Sequence, residues 1–351
     1  RLTGKSPAHP MWADLRRRQN RVMFVALRDL LNAKGRFGLI AGVVALVTFL
    51  VVMLTGLTAG LGKQNSSALE ALDPAAVTFD DAGNQSYTTS RIAEADDGTT
   101  PLGTGQTLMT RDDGTEESVA VLGLPSGTEL PTGQVLEDHS IASESLELAD
   151  GESITVGGAP VTVSEQAEDL YFAHSPVLWV PTETWQAAMH TEAVGTVELS
   201  DNEDTAPEGS VSLKDSFEAL PAYSSEQGSL KMIQGFLYLI SALVTVAFLS
   251  VWTAQRTRDL SILKAIGASN RYLLKDSIGQ AALILAIGAL IGTAAAAGLG
   301  LAAAQVAPFV LSPASVILPA LAIWILGMGG AALATRSISR VDPQLALGGA
   351  A

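Results

Sequence analysis

Long apolar segments alternate with polar ones along the chain. Residues 37–61 run for 25 positions without a charged side chain, and a helix of about 20 apolar residues crosses the hydrocarbon core of a bilayer. Three later segments are similarly apolar, so each is long enough to span with some tilt. The hydropathy pattern therefore predicts a membrane protein whose four transmembrane α-helices occupy residues 37–61, 231–253, 278–304 and 314–335.

Small residues mark the last two spans. Gly288 and Gly292 form a G-x-x-x-G pair in the third span, and Gly327, Gly329 and Gly330 cluster in the fourth. Small residues let helix backbones approach closely in lipid, where no hydrophobic drive brings helices together. We predict that the third and fourth helices pack tightly on each other.

Charged residues are strongly segregated. Residues 64–230 contain 31 of the 36 acidic residues and three bases, whereas the rest of the chain contains five acids and 18 bases. This distribution excludes a simple soluble enzyme and a nucleic-acid binder, because no large region is both basic and soluble. The chain has no Cys, and its four His residues lack metal-ligand spacing. We therefore predict no catalytic residues, no intrinsic cofactor and no metal site of the chain's own.

The basic residues predict the orientation in the cell membrane. Under the positive-inside rule, Lys and Arg flanking the spans lie in the cytoplasm. Both termini (residues 1–36, a tail with an amphipathic helix, and residues 336–351) and the loop 254–277 should then be cytoplasmic. The clusters are Arg16, Arg17, Arg18, Arg21, Arg28, Lys34 and Arg36 before the first span, Arg256, Arg258, Lys264, Arg271 and Lys275 after the second, and Arg336 and Arg340 after the fourth.

Residues 62–230 should form a small extracellular α+β domain inserted between the first and second helices. The segment is long enough for a domain. A Gly157-Gly158 pair between strand-like runs indicates a hairpin, residues 181–190 indicate a helix capped by Thr182 or Thr184, and His174 is favoured as a structural residue over a ligand. Strand-like runs lie at 75–80, 117–124, 152–165 and 175–181, and turn signals at Asp96-Asp97-Gly98 and Asp112-Asp113-Gly114.

The inner loop carries an apolar stripe that includes Ile262, Leu263 and Ile266. Such amphipathic segments either lie on the membrane or dock in a partner's groove, and composition leaves both open. A phosphate-binding loop would need G-x-x-x-x-G-K-[ST], and Gly62-Lys63 fails because Gln64 follows it. The chain is therefore predicted not to be an enzyme, and active transport would need an ATPase on another chain.

The order of these parts and the stretch "RTRDLSILKAIGAS" resemble the FtsX/MacB-type permeases of ABC transporters. Five further segments resemble the HrtB haem-efflux permeases of Gram-positive bacteria: "LTGLTAGLGKQNSSALEALD", "DLYFAHSPVLWV", "SEQGSLKM", "ILKAIG" and "VDPQLALGGA". The resemblance covers about residues 23–351. It implies a homodimer in membrane lipid with two copies of a cognate ATPase subunit, which binds the ATP, and haem as the exported substrate.

The same resemblance assigns the inner loop to ATPase coupling. The residues implied are Arg258, Asp259, Ile262, Leu263, Lys264, Ile266 and Gly267, with Asp259 standing where many members carry Glu.

The outer ends of the first two helices are the expected haem site under this resemblance. Haem needs a flat apolar slot, axial ligands and a cation for its propionates. Because neither Cys nor a His within a span is present, we expect Met53 and Met232 as iron ligands, Phe49 and Phe236 on the ring, Lys231 on a propionate, and Glu226 and Tyr223 just above. Two alternatives remain: a permease that acts mechanically on an extracytoplasmic partner, and an exporter of a peptide, lipid or drug.

Overall fold

The computed structural model describes residues 34–255, residue 262 and residues 269–335. The described chain divides into two compact units, one formed by residues 57–231 and the other by the segments before and after it. The helices are, in chain order, α1 (Lys34–Leu72), α2 (Thr182–Met189), α3 (Leu213–Ser216), α4 (Pro221–Gln255), α5 (Asn270–Ala303) and α6 (Pro313–Thr335).

Four of the described helices are long and apolar enough to cross a membrane, namely α1, α4, α5 and α6. The predicted fold class is thereby confirmed, since a mixed-sheet domain lies between the first two of them in the chain. Helix α1 continues to Leu72, beyond the apolar stretch, and α5 begins at Asn270 because the Ser269 side chain caps it by accepting from Tyr272 N–H.

In the four-helix unit, α1 and α4 run antiparallel. The Phe37 and Trp252 rings meet edge-on at one end, with centroids 6.1 Å apart. Towards the other end, Gln234 Nε2 donates to Thr55 Oγ1 at 3.5 Å. These two contacts fix the register of the helices on which the haem candidates Met53 and Met232 lie.

The glycine pair in α5 has a different partner from the one predicted. A Cβ on Gly288 would lie 2.7 Å from Ala41 O, and a Cβ on Gly292 would overlap Ala45 O, so both glycines face α1 rather than α6. The expectation that α5 and α6 pack together is met elsewhere, at Gly327, whose Cβ would lie 2.9 Å from a Leu285 methyl. Helical spacing shows which residues share a face but not which neighbour that face meets, and this is why the prediction named the wrong helix.

The unit formed by residues 57–231 is built on twelve strands. They are β1 (Ala76–Phe79), β2 (Thr100–Thr110), β3 (Glu116–Leu124), β4 (Thr128–Glu129), β5 (Val135–Leu136), β6 (Ser140–Ser143), β7 (Ser153–Val156), β8 (Ala159–Ala167), β9 (Tyr171–Phe172), β10 (Ser175–Pro181), β11 (Val197–Ser200) and β12 (Val211–Ser212). The four segments predicted as strands are strands. The predicted hairpin is also present, with Gly157 and Gly158 at positive φ between β7 and β8.

The main sheet follows the order β12-β1-β11-β2-β3-β10-β6-β8-β7, and β7 pairs again with β2. Six strands therefore close on themselves around one core, to which Met109, Val121 and Leu178 contribute. The β3–β10 and β6–β8 pairs are parallel and the other pairs are antiparallel, so the sheet is mixed. A second core lies between the strands and the last turns of α1, where Ala68 and Leu69 are fully buried.

The longest strand, β2, was not predicted. Its Gly103 and Gly105 weaken a strand pattern, yet Gly103 lies directly under the Trp185 ring and Gly105 under Met189, so the absent side chains let α2 pack on the sheet. The predicted caps of α2 are wrong. Its first turn follows Pro181 without a side-chain cap, because β10 runs straight into the helix.

Candidate functional site

The part of α4 that follows Lys231 carries a row of exposed apolar side chains. Met232 is 62% exposed and Phe236 is 57% exposed, and Leu239 and Leu243 continue the row. Successive members are separated by three or four residues, so they share one helix face. This row, Met232–Phe236–Leu239–Leu243, is called the α4 stripe below.

Helix α1 presents Phe49 and Met53 one turn apart, both half-buried. The Thr55–Gln234 contact fixes their level relative to the α4 stripe. Met53 lies two residues before Thr55 and Met232 two residues before Gln234 on an antiparallel helix, so the two methionines differ by only about 6 Å along the axis. The structure therefore places both predicted ligands at nearly the same depth.

Tyr223 and Lys231 have contrasting surroundings. The Tyr223 ring packs edge-on against Phe217, with centroids 5.5 Å apart, and against the core of the unit formed by residues 57–231. A Cβ on Gly62 would lie 3.7 Å from it. Lys231 is exposed and comes directly before Met232, the first residue of the α4 stripe. Tyr223 is thus a packing residue in this structure, whereas the ammonium group of Lys231 is open to an anion.

Glu226, the remaining candidate for the haem site, belongs to a polar cluster with Asn65 and His174. His174 Nε2 lies 2.9 Å from Glu226 Oε1, and Asn65 Nδ2 donates to Glu226 Oε2 at 3.2 Å. Asn65 also donates to Leu61 O at 3.1 Å and is fully buried. Each carboxylate oxygen of Glu226 therefore meets a nitrogen from a different element, α1 or the turn between β9 and β10.

Sequence reasoning did not find this cluster. His174 is 109 residues from Asn65 and 52 residues from Glu226, so no spacing motif links them. The structural role favoured for His174 agrees with the contacts observed. The structure gives a signal that the sequence does not: Ala173 and His174 both have positive φ, where Gly or Asn is usual. Contacts outside the turn must therefore stabilise this backbone conformation.

The coupling segment is largely outside the described residues. Ile262 is described and exposed. Arg258, Asp259, Leu263, Lys264, Ile266 and Gly267 lie outside the described part of the chain, as do residues 1–33 and 336–351.

Comparison with known proteins shows which families the chain resembles. Residues 231–343 match the model of the FtsX-like permease C-terminal domain. A Staphylococcus haemolyticus protein, HrtB, named for a hemin transport system permease, is 25% identical over 93% of this chain and 99% of its own length. HrtB of Staphylococcus epidermidis is 32% identical, but the alignment spans only 37% of each protein.

Two further similarities are more distant. An uncharacterized ABC transporter permease of Mycobacterium tuberculosis is 28% identical over 34% of each chain. The crystal structure of the periplasmic region of MacB from Actinobacillus actinomycetemcomitans matches 39% of this chain and 67% of its own, with 15% identity and a TM-score of 0.25, and it carries no further weight. The chain is therefore a multi-pass membrane protein whose residues 231–343 match the FtsX-like permease C-terminal domain.

Proposed function

We propose that this chain is the permease subunit of an ATP-driven exporter that moves haem from the membrane to the outside and so relieves haem toxicity. The observation that carries the proposal is the similarity, over nearly the whole length, to a permease named for hemin transport. ATP is bound by a separate ATPase subunit in two copies, and the permease acts as a homodimer.

In this proposal haem enters sideways from the outer leaflet. Met53 and Met232 ligate the iron, Phe49 and Phe236 pack on the ring, and Lys231 pairs with a propionate at the lipid headgroups. The similar depth of the two methionines and the exposure of Met232 and Phe236 support the assignment. Thioether ligands suit an exporter, because a cargo held by two imidazoles would leave slowly.

Substituting the methionines should change how haem binds. Met232→Ala and Met53→Ala should each shift the visible spectrum of bound haem and weaken binding by roughly tenfold, the equivalent of one lost contact of about 1.4 kcal/mol. The measurement is a spectral titration of the detergent-purified chain, together with haem resistance in cells that also express the ATPase.

Leu243→Ala is the matched control. Leu243 lies on the same stripe and is 67% exposed, but it is eleven residues and about 16 Å further along the helix than Met232. The Leu243→Ala variant should bind haem as the wild type does. Unchanged spectrum, affinity and resistance in both methionine variants would remove Met53 and Met232 from the site.

The proposed orientation, with both termini cytoplasmic and residues 62–230 outside, predicts opposite labelling of two exposed positions. A cysteine at Ser126 should react with a membrane-impermeant thiol reagent added to intact cells, and a cysteine at Asn270 should react only after the cells are opened. Both side chains are exposed, so burial does not explain a failure to react. The chain has no native Cys and hence no background; the reverse pattern would overturn the orientation.

A mechanical role on an extracytoplasmic partner is the main alternative. It shares the ATPase and the topology but needs no haem site. Wild-type protein that couples to its ATPase yet never binds haem would favour it.

A further inference from the structure

The turn between β9 and β10 is attached to α1 through backbone groups. Ala173 N donates to Asn65 O at 3.0 Å, and His174 N donates to Gln64 O at 2.9 Å. The neighbouring Tyr171 N donates to Ser67 Oγ at 2.8 Å. Two of these three bonds involve only main-chain atoms, so the turn and this part of α1 form one fixed body.

The same turn reaches α4 in a different way. Among the described residues, the hydrogen bonds between the turn and α4 consist of the single contact between His174 Nε2 and Glu226 Oε1, at 2.9 Å. Asn65 supports it from α1 by donating to the other carboxylate oxygen. Asn65 Nδ2 lies within 3.2 Å of three atoms, namely Leu61 O, Glu226 Oε2 and His174 Nε2, but it carries two hydrogens. With the tautomer in which His174 Nε2 carries a hydrogen and donates it to Glu226, Asn65 donates to Glu226 and Leu61 O. One carboxylate thus links α4 to the turn.

The Glu226 carboxylate remains accessible to a competing ligand. The Glu226 side chain is 35% exposed, although both its oxygens are engaged. A second hydrogen bond between α4 and α1 lies nearby and is buried: Gln227 Nε2 donates to Thr58 O at 3.1 Å. Glu226 also precedes Met232 by six residues on α4, about 9 Å of helix rise, and a carboxylate is an accepted ligand for ferric iron.

We propose that Glu226 is a switchable link between α4 and the body formed by α1 and the β9–β10 turn. Without cargo, His174 and Asn65 hold its carboxylate; when ferric haem binds, the carboxylate replaces one thioether as an axial ligand of the iron, and the link to the turn is released. The inference rests on the proposed haem function. It adds a way for bound haem to release α4 from the β9–β10 turn. It makes His174 a positioning residue whose bond competes with haem.

The test uses variants of the turn in the full-length, detergent-purified chain titrated with ferric haem. His174→Gly removes the imidazole and also suits the positive φ of 67° at this position. We expect the His174→Gly variant to bind haem about tenfold more tightly, because the His174–Glu226 hydrogen bond no longer competes with haem for the carboxylate. His174→Gln keeps an N–H donor and should restore an affinity within about twofold of the wild type.

Two controls separate competition from a general effect on the turn. Ala173→Gly changes the neighbouring residue, also at positive φ (48°), and should leave haem affinity unchanged. In the double variant His174→Gly with Glu226→Gln, the gain should vanish, because His174 acts only through the carboxylate. Melting temperatures of all variants verify folding.

Unchanged or weaker haem binding in His174→Gly, with normal binding by the wild type, would overturn the switch and leave the proposed function standing. A gain that persists in the double variant would overturn it as well. A wild-type chain that binds no haem would overturn the proposed function and, with it, the switch.

Discussion

Replacing Gly292 by leucine should break the packing of α5 on α1 and sharply lower the amount of folded protein in the membrane. A Cβ at this position would overlap Ala45 O and lie 2.9 Å from Thr48 Cβ. The obstacle is helix backbone, which cannot rotate away, so overpacking should cost at least roughly 3 kcal/mol. Steady-state level, melting temperature in detergent and haem resistance should all fall.

Gly298→Leu is the matched control on the same helix. Nothing lies within 4 Å of a Cβ built there, and a leucine on a lipid-facing surface is favourable. It should leave level and melting temperature unchanged. If Gly292→Leu and Gly298→Leu behave alike, the close approach of α5 to α1 is not what stabilises the bundle.

Replacing Leu263 by aspartate should nearly abolish ATP-driven efflux while the permease remains folded and inserted. Leu263 belongs to the apolar stripe of the inner loop, which we propose docks in a groove of the ATPase. A charge buried against an apolar groove costs several kcal/mol in lost hydration, and each 1.4 kcal/mol weakens binding about tenfold. Co-purification of the ATPase and haem efflux should both drop by roughly a hundredfold or more.

The control for this change is Ser261→Asp, which adds the same charge at a polar position two residues away. It should retain assembly and efflux. Normal assembly and efflux in Leu263→Asp would show that the stripe lies on the membrane surface instead of on the ATPase.

Hydropathy and turn chemistry predicted most of the architecture, because both act locally. An uncharged run such as residues 37–61 has few stable environments other than lipid, and Gly157-Gly158 has few roles other than a tight turn. The sequence did not show which neighbouring helix a packing face contacts. Gly288 and Gly292 were recognised as a packing face, but only the structure shows that the face meets α1.

The unpredicted strand β2 and the unpredicted polar cluster have related causes. Gly103 lowers strand propensity locally, and its benefit appears only when Trp185 packs over it. Likewise, His174 and Glu226 meet only because a hairpin turn docks on α1. Such features depend on tertiary contacts between distant segments. The methionines were proposed from helix rise along each span, and their role in haem binding stays a prediction.

Haem titration of the purified wild-type chain, followed by visible absorption, tests the central claim most directly. We expect a saturable spectrum with a defined stoichiometry per homodimer, unlike that of haem held by two imidazoles, because the proposed ligands are thioether and carboxylate groups. A titration without saturation, in which the spectrum is only that of haem in detergent, would contradict the account.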